Sequence, residues 1–137
     1  MSEQMEAGRQ WLAKARSDLL SADNNLQAAQ TPFDAVCFHC RQAAEKLLKA
    51  YLAGKGKPHP ITHNLFLILE RILPLEPGAE RARDALAILV PYAVEVRYPG
   101  EASMPSRSDA EEAREAASQV LEWLEESLPE LFETEAG

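Results

Sequence analysis

At 137 residues the chain has the size of one domain and is long enough to bury a core without disulfide or metal staples. Hydrophobic residues make up 46%, which excludes wholesale disorder, and no internal period of the kind that marks a solenoid is present. The net charge of −8 is unevenly spread: residues 109–137 hold ten carboxylates and one arginine, whereas residues 1–108 carry a net +1.

The polar opening, residues 1–8, has neither a basic n-region nor an apolar h-region, so no signal peptide is expected. No apolar run approaches the roughly 20 residues of a membrane span, and a cytoplasmic location is the expectation. From about Gln4 to Ala28 the residues Trp11, Ala15, Leu19, Ala22 and Leu26 recur at spacings of three and four, the stripe of a first helix. Gln30-Thr31-Pro32 breaks it. Thr31 then reads as a cap, Pro32 as the first helical position and Asp34 as a carboxylate near the positive helix end.

A second helix is expected from Pro32 to about Ala53. At about 100° per residue, Phe33, Val36, Cys37, Cys40, Ala44, Leu47, Leu48 and Tyr51 share one arc. Arg41, Gln42, Glu45, Lys46 and Lys49 take the opposite side, with Glu45 and Lys49 spaced for an ion pair. Phe38 falls in the middle of that polar side, and Gly54 reads as a C-cap.

Pro58 and Pro60 make Lys55–Thr62 a loop. A third helix is expected from His63 to Leu73, with Leu65, Ile68, Leu69 and Ile72 inward. A fourth runs from Ala79 to Val90, continuing irregularly past Pro91 as far as Val96. After a loop over Pro99–Pro105, Ser108-Asp109-Ala110-Glu111 reads as a capping box that launches a final helix to about Phe132, followed by an acidic tail at 133–137. Nothing alternates long enough to make a strand. The expected fold is all-α, a single domain built as an up-and-down antiparallel bundle of four to five helices.

Cys37 and Cys40 have C-x-x-C spacing, but a zinc site would need two more ligands, and His39, His59 and His63 are the only imidazoles. The preferred reading is two small buried hydrophobes in a reduced protein, with no metal and no cofactor. Between His39 and His63, Arg41, Lys46, Lys49, Lys55 and Lys57 stand against Glu45 alone, so one side of the molecule is able to approach an anion.

The run Phe38-His39-Cys40-Arg41-Gln42-Ala43-Ala44-Glu45-Lys46-Leu47-Leu48-Lys49-Ala50-Tyr51-Leu52 resembles the signature helix of the HEPN domain. His63-Asn64-Leu65 is similar to that family's threonine-histidine-aspartate/asparagine-leucine segment. Tyr92-Ala93-Val94-Glu95-Val96-Arg97-Tyr98-Pro99-Gly100 resembles its arginine-tyrosine-proline stretch. The resemblance implies a helical bundle that commonly dimerises and is often encoded beside a minimal nucleotidyltransferase, the two behaving as toxin and antitoxin. In active members an arginine and a following histidine, with four to six residues between them, cleave RNA without metal. The guanidinium steadies the phosphate and the imidazole moves the 2'-hydroxyl proton. Arg97 matches the arginine, but Ala102, Ser103 and Met104 stand where the histidine belongs.

Three functions follow as expectations. The first is a HEPN component that works with a nucleotidyltransferase partner and as a homodimer. On this reading Phe38, Arg41, Gln42 and Glu45 are the interface candidates, because an aromatic flanked by arginine is typical of an interface centre. The second is a ribonuclease pairing Arg97 with a non-standard histidine, His39 or His63. The third is a nucleotide or RNA-binding module, with His39, Gln42, Lys46, Lys49 and Arg97 as phosphate-binding candidates. His63 is otherwise expected to bond locally at a helix N-terminus.

Overall fold

A computed structural model describes residues 2–94 and 104–133. Among these residues the chain is all-α, with five helices, no strand, and neighbouring helices packed antiparallel. They are α1 (Glu3–Leu26), α2 (Phe33–Gly54), α3 (Leu65–Ile72), α4 (Arg83–Leu89) and α5 (Arg107–Ser127). Short 3₁₀ turns at Pro77–Ala82, Val90–Tyr92 and Pro129–Phe132 flank the last three. No helix among the described residues is long and apolar enough to cross a membrane.

Each start follows from local chemistry. Ser2 accepts from the Met5 N–H at 3.1 Å, and Glu3 and Glu6 place negative charge in the first turn of α1. Asn64 caps α3 by accepting from the Phe66 and Leu67 N–H groups. At α5 the capping box is Ser106 with Asp109, each side chain accepting from the other's backbone N–H. The box at Ser108 and Glu111 is thus displaced by two residues, because Ser106 also satisfies the pattern once Asp109 serves as its acid. Helix α2 begins without a side-chain cap; Thr31 Oγ1 donates back to the Ala28 carbonyl instead.

Helix α2 is the spine. It packs on α1 along most of its length, on α5 behind, and on α3 across its C-terminal half. None of its 22 residues is exposed. Tyr51 and Trp123 meet in the core with ring centroids 5.3 Å apart, in the same buried cluster as Leu47, Leu48, Leu124 and Val120. Cys37 and Cys40 are buried free thiols in the same core, and burial pushes the Cys40 thiol up to about 12. A thiol held protonated in this way is a small apolar group rather than a nucleophile.

Three details depart from the sequence reading. Gly56, not Gly54, takes the left-handed conformation (φ 71°) at the end of α2, where the Lys57 N–H donates to the Leu52 carbonyl. Gly54 has a packing role. A Cβ there would lie 2.7 Å from Leu128 Cδ2, and one on Gly8 would lie 2.6 Å from Leu131 Cδ2 and 3.0 Å from the Ala50 carbonyl oxygen. The two glycines thus let α1 and α2 close on each other with Leu131 plugged between them. Finally, Pro129 ends α5 at Ser127, and the turn it opens swings Leu131 back to that plug.

A Gly8→Val substitution is expected to cost about 1–3 kcal/mol by overpacking, despite valine's better helix propensity. Urea denaturation checks it; a variant as stable as the parent means that α1 and α2 do not approach through Gly8.

Candidate functional site

The polar side of α2 is not the solvated face that its wheel suggests. Arg41, Glu45 and Lys49 are 4%, 3% and 7% exposed. The chain between α2 and α3 runs back over them, because Pro58 and Pro60 keep it extended and Asn64 then starts α3 beside Arg41. Glu45 is the hub of the resulting network. Its Oε1 accepts from Arg41 Nη1 at 3.1 Å and its Oε2 from Lys49 Nζ at 2.8 Å. The same Oε2 meets His63 Nδ1 at 2.9 Å. Arg41 Nη2 also donates to the His63 carbonyl oxygen, so His63 is gripped by both its ring and its backbone. Lys49 Nζ lies 5.5 Å from the centroid of the Trp11 ring, and His59 meets that ring edge-on at 5.4 Å.

A second hub lies one turn away. Asp18 of α1, itself buried, meets His39 Nδ1 at 3.0 Å through Oδ1 and accepts from Lys46 Nζ through Oδ2. Between the hubs, Phe38 and Gln42 are half-buried; Phe38 touches the His39 ring edge-on at 5.5 Å, and the Gln42 amide makes no hydrogen bond among the described residues. Phe38, His39, Gln42 and Lys46 therefore form one half-open strip along α2.

The candidates sort clearly. The structure brings His39, Gln42 and Lys46 together on the strip, and turns Lys49, Arg41 and Glu45 inward to a separate network. The inward set meets α1, α3 and the chain between α2 and α3, which leaves little of Arg41 or Glu45 for a partner to touch. Arg97, Ala102 and Ser103 lie outside the described residues, as does the tail beyond Glu133. Asp18 escaped the sequence reading altogether, although a carboxylate beside Leu19 on the buried stripe was a signal that it needs a partner. Arg114 escaped too: it clasps Asp23 through Nε at 2.7 Å and Nη2 at 3.2 Å, tying α5 to α1. Its hydrogen bonds to Asp23 push Arg114 up from its ordinary value despite partial burial.

Burial alone would raise the Glu45 carboxyl, but the hydrogen bonds from Lys49 and His63 outweigh it and hold Glu45 below the usual carboxylate range. Both carboxylates approach an imidazole at Nδ1, which favours the tautomer with the proton on that nitrogen and leaves Nε2 as the acceptor. The His63 side chain is 81% exposed, so its Nε2 is open to solvent.

A helical bundle whose second helix carries internal charge networks and a half-open polar strip defines the class: an all-α helical domain. The chain belongs to the HEPN family; the sequence model of the HEPN domain matches residues 9–127, from α1 to the end of α5. No curated protein and no solved structure is significantly similar to it.

Removing Glu45 leaves two buried cations without a counter-ion, so Glu45→Ala is expected to cost about 3–5 kcal/mol. Because the folded value is depressed, the ionised carboxyl's contribution is complete above about pH 4.5 and is lost as the pH falls through the folded value. Urea unfolding across that range should therefore show the stability gap between wild type and Glu45→Gln closing on acidification. A gap that does not narrow means Glu45 is not held in its charged form.

Proposed function

We propose that this HEPN protein acts through partners, as one component of a toxin–antitoxin-like pair with a small nucleotidyltransferase, and forms a homodimer along the strip of α2. The observation that carries this reading is the missing histidine. Ala102, Ser103 and Met104 follow Arg97 where the family's ribonuclease motif requires an imidazole, and no histidine follows His63. Arginine stabilises a charged phosphate but stays protonated and moves no proton near neutral pH. Phe38 supports the dimer, since a half-buried aromatic beside a polar amide is a natural interface centre. His39 and Lys46 add an anion-compatible edge to the strip, suited to a nucleotide or RNA phosphate brought by the partner.

One observation favours a second reading, metal-independent RNA cleavage by Arg97 with a displaced histidine. His63 offers an exposed Nε2 backed by a buried carboxylate. This is the arrangement of a general base.

Co-expression with the neighbouring nucleotidyltransferase should give a complex that co-elutes in size-exclusion chromatography; separate elution of two folded proteins argues for a stand-alone role. The protein alone should sediment as a dimer at tens of micromolar and Phe38→Glu as a folded monomer. With total RNA and no metal, no cleavage above a catalytically dead control is expected. Cleavage abolished by both Arg97→Ala and His63→Ala would put the second reading first.

A further inference from the structure

Apart from the residues of the α2 strip, a hollow of about 240 Å³ opens between the end of α2, the connection after it and the end of α3. Leu52, Pro58, Pro74 and Leu75 give it apolar walls, and Lys57 and Arg71 stand at it with no carboxylate in the lining. Its shape is fixed by backbone. Gly56 turns the chain so that the Lys57 N–H donates to the Leu52 carbonyl at 2.9 Å. The Leu75 and Glu76 N–H groups both donate to the Ile72 carbonyl at 2.9 Å, which sets the opposite wall.

Six other cations of the chain, Arg41, Lys46, Lys49, Arg81, Arg83 and Arg114, are spent on carboxylates among the described residues. Lys57 and Arg71 have no ion pair or hydrogen-bonded side-chain partner among the described residues. The nearby acids are already engaged: Glu70 and Glu80 hold Arg83, and Glu76 accepts from the Gly78 N–H. In a chain of net charge −8, an apolar hollow flanked by two unpaired cations is an exception to the surface around it.

We propose that this hollow docks an acidic peptide segment of a partner protein, with one large apolar side chain seated against Pro58, Pro74 and Leu75 and flanking carboxylates on Lys57 and Arg71. The volume exceeds many times the ~30 Å³ share of one water, and Leu75 is 41% exposed, so apolar surface is available for a partner to cover. Charge complementarity chooses an acidic segment. The walls choose peptide over nucleic acid: no aromatic ring lines the hollow, and single strands are held chiefly by stacking on such rings. The inference is independent of the α2 strip and of the nucleotidyltransferase reading.

The test uses fluorescence anisotropy on the full-length protein with a labelled peptide alternating leucine and glutamate. Two control peptides replace either all glutamates by lysine or all leucines by serine. Saturable binding that weakens at least about tenfold in a Lys57→Glu, Arg71→Glu double variant and in Leu75→Ser, and that is lost with both controls, is expected. Both sites are on the surface, and unchanged circular dichroism and melting confirm that the variants fold. Absence of binding up to about 1 mM peptide, binding insensitive to these substitutions, or equal competition by a single-stranded RNA of matching charge would each overturn the proposal.

Discussion

Two permanent cations and one carboxylate, Arg41, Lys49 and Glu45, are buried on a single helix, and the rest of the architecture is arranged to make that tolerable. Charges taken out of water cost several kcal/mol each unless paired and hydrogen-bonded. Their spacing of four residues lets α2 supply two of the bonds itself. Most of the remaining needs are met from outside the helix, with Arg41 Nε left without a hydrogen-bond partner among the described residues. His63 gives Arg41 a carbonyl and Glu45 an imidazole, and Trp11 gives Lys49 a π face. The entry to α3 and the N-terminal half of α1 are therefore held by the same buried triad that organises α2.

The second hub extends this logic along the α1–α2 seam. An apolar seam of Ala15, Leu19, Ala22, Ala43, Leu47 and Ala50 has little to fix one helix against a slide along the other. Asp18, bonded to His39 and Lys46 seven residues apart, fixes it, since a shift of one turn would leave a buried carboxylate facing apolar groups. Gly8 sets the spacing at one end of the seam, and Arg114 anchors its other end to α5 through Asp23. Apolar burial drives the packing, and the polar hubs select one alignment of it.

The fold was largely legible because helical periodicity and breakers are local signals. Apart from the half-buried Phe33, the apolar arc of α2 and the inward set Leu65, Ile68, Leu69 and Ile72 of α3 lie in the core as read from spacing alone. What sequence could not supply was the path of the chain after α2. A helical wheel treats every polar residue as facing water, so Arg41, Glu45 and Lys49 read as a solvated side. The return of the chain over them at His63, together with Trp11 of α1, converts that side into an interior. The partners of Asp18 were invisible for the same reason, being 21 and 28 residues away on another helix. Arg97, by contrast, stood out through its resemblance to a motif, but it lies outside the described residues and gains no geometry here.

The internal use of charge also narrows what the surface can do. A cation that already neutralises a buried carboxylate gives up that bond to bind anything else, and Lys49 and Arg41 are both committed to Glu45. His39 and Lys46 are different: they share Asp18, yet both remain partly open, and the imidazole keeps a free nitrogen. Their bonds to one buried carboxylate preorganise them, which lowers the ordering cost of binding while leaving almost no net positive charge at the site. Such a strip suits a surface presented jointly with a second protein, whose own cations complete the electrostatics, better than a self-sufficient nucleotide pocket. That balance of fixed geometry and spent charge is what supports the proposal that this HEPN chain acts through a partner.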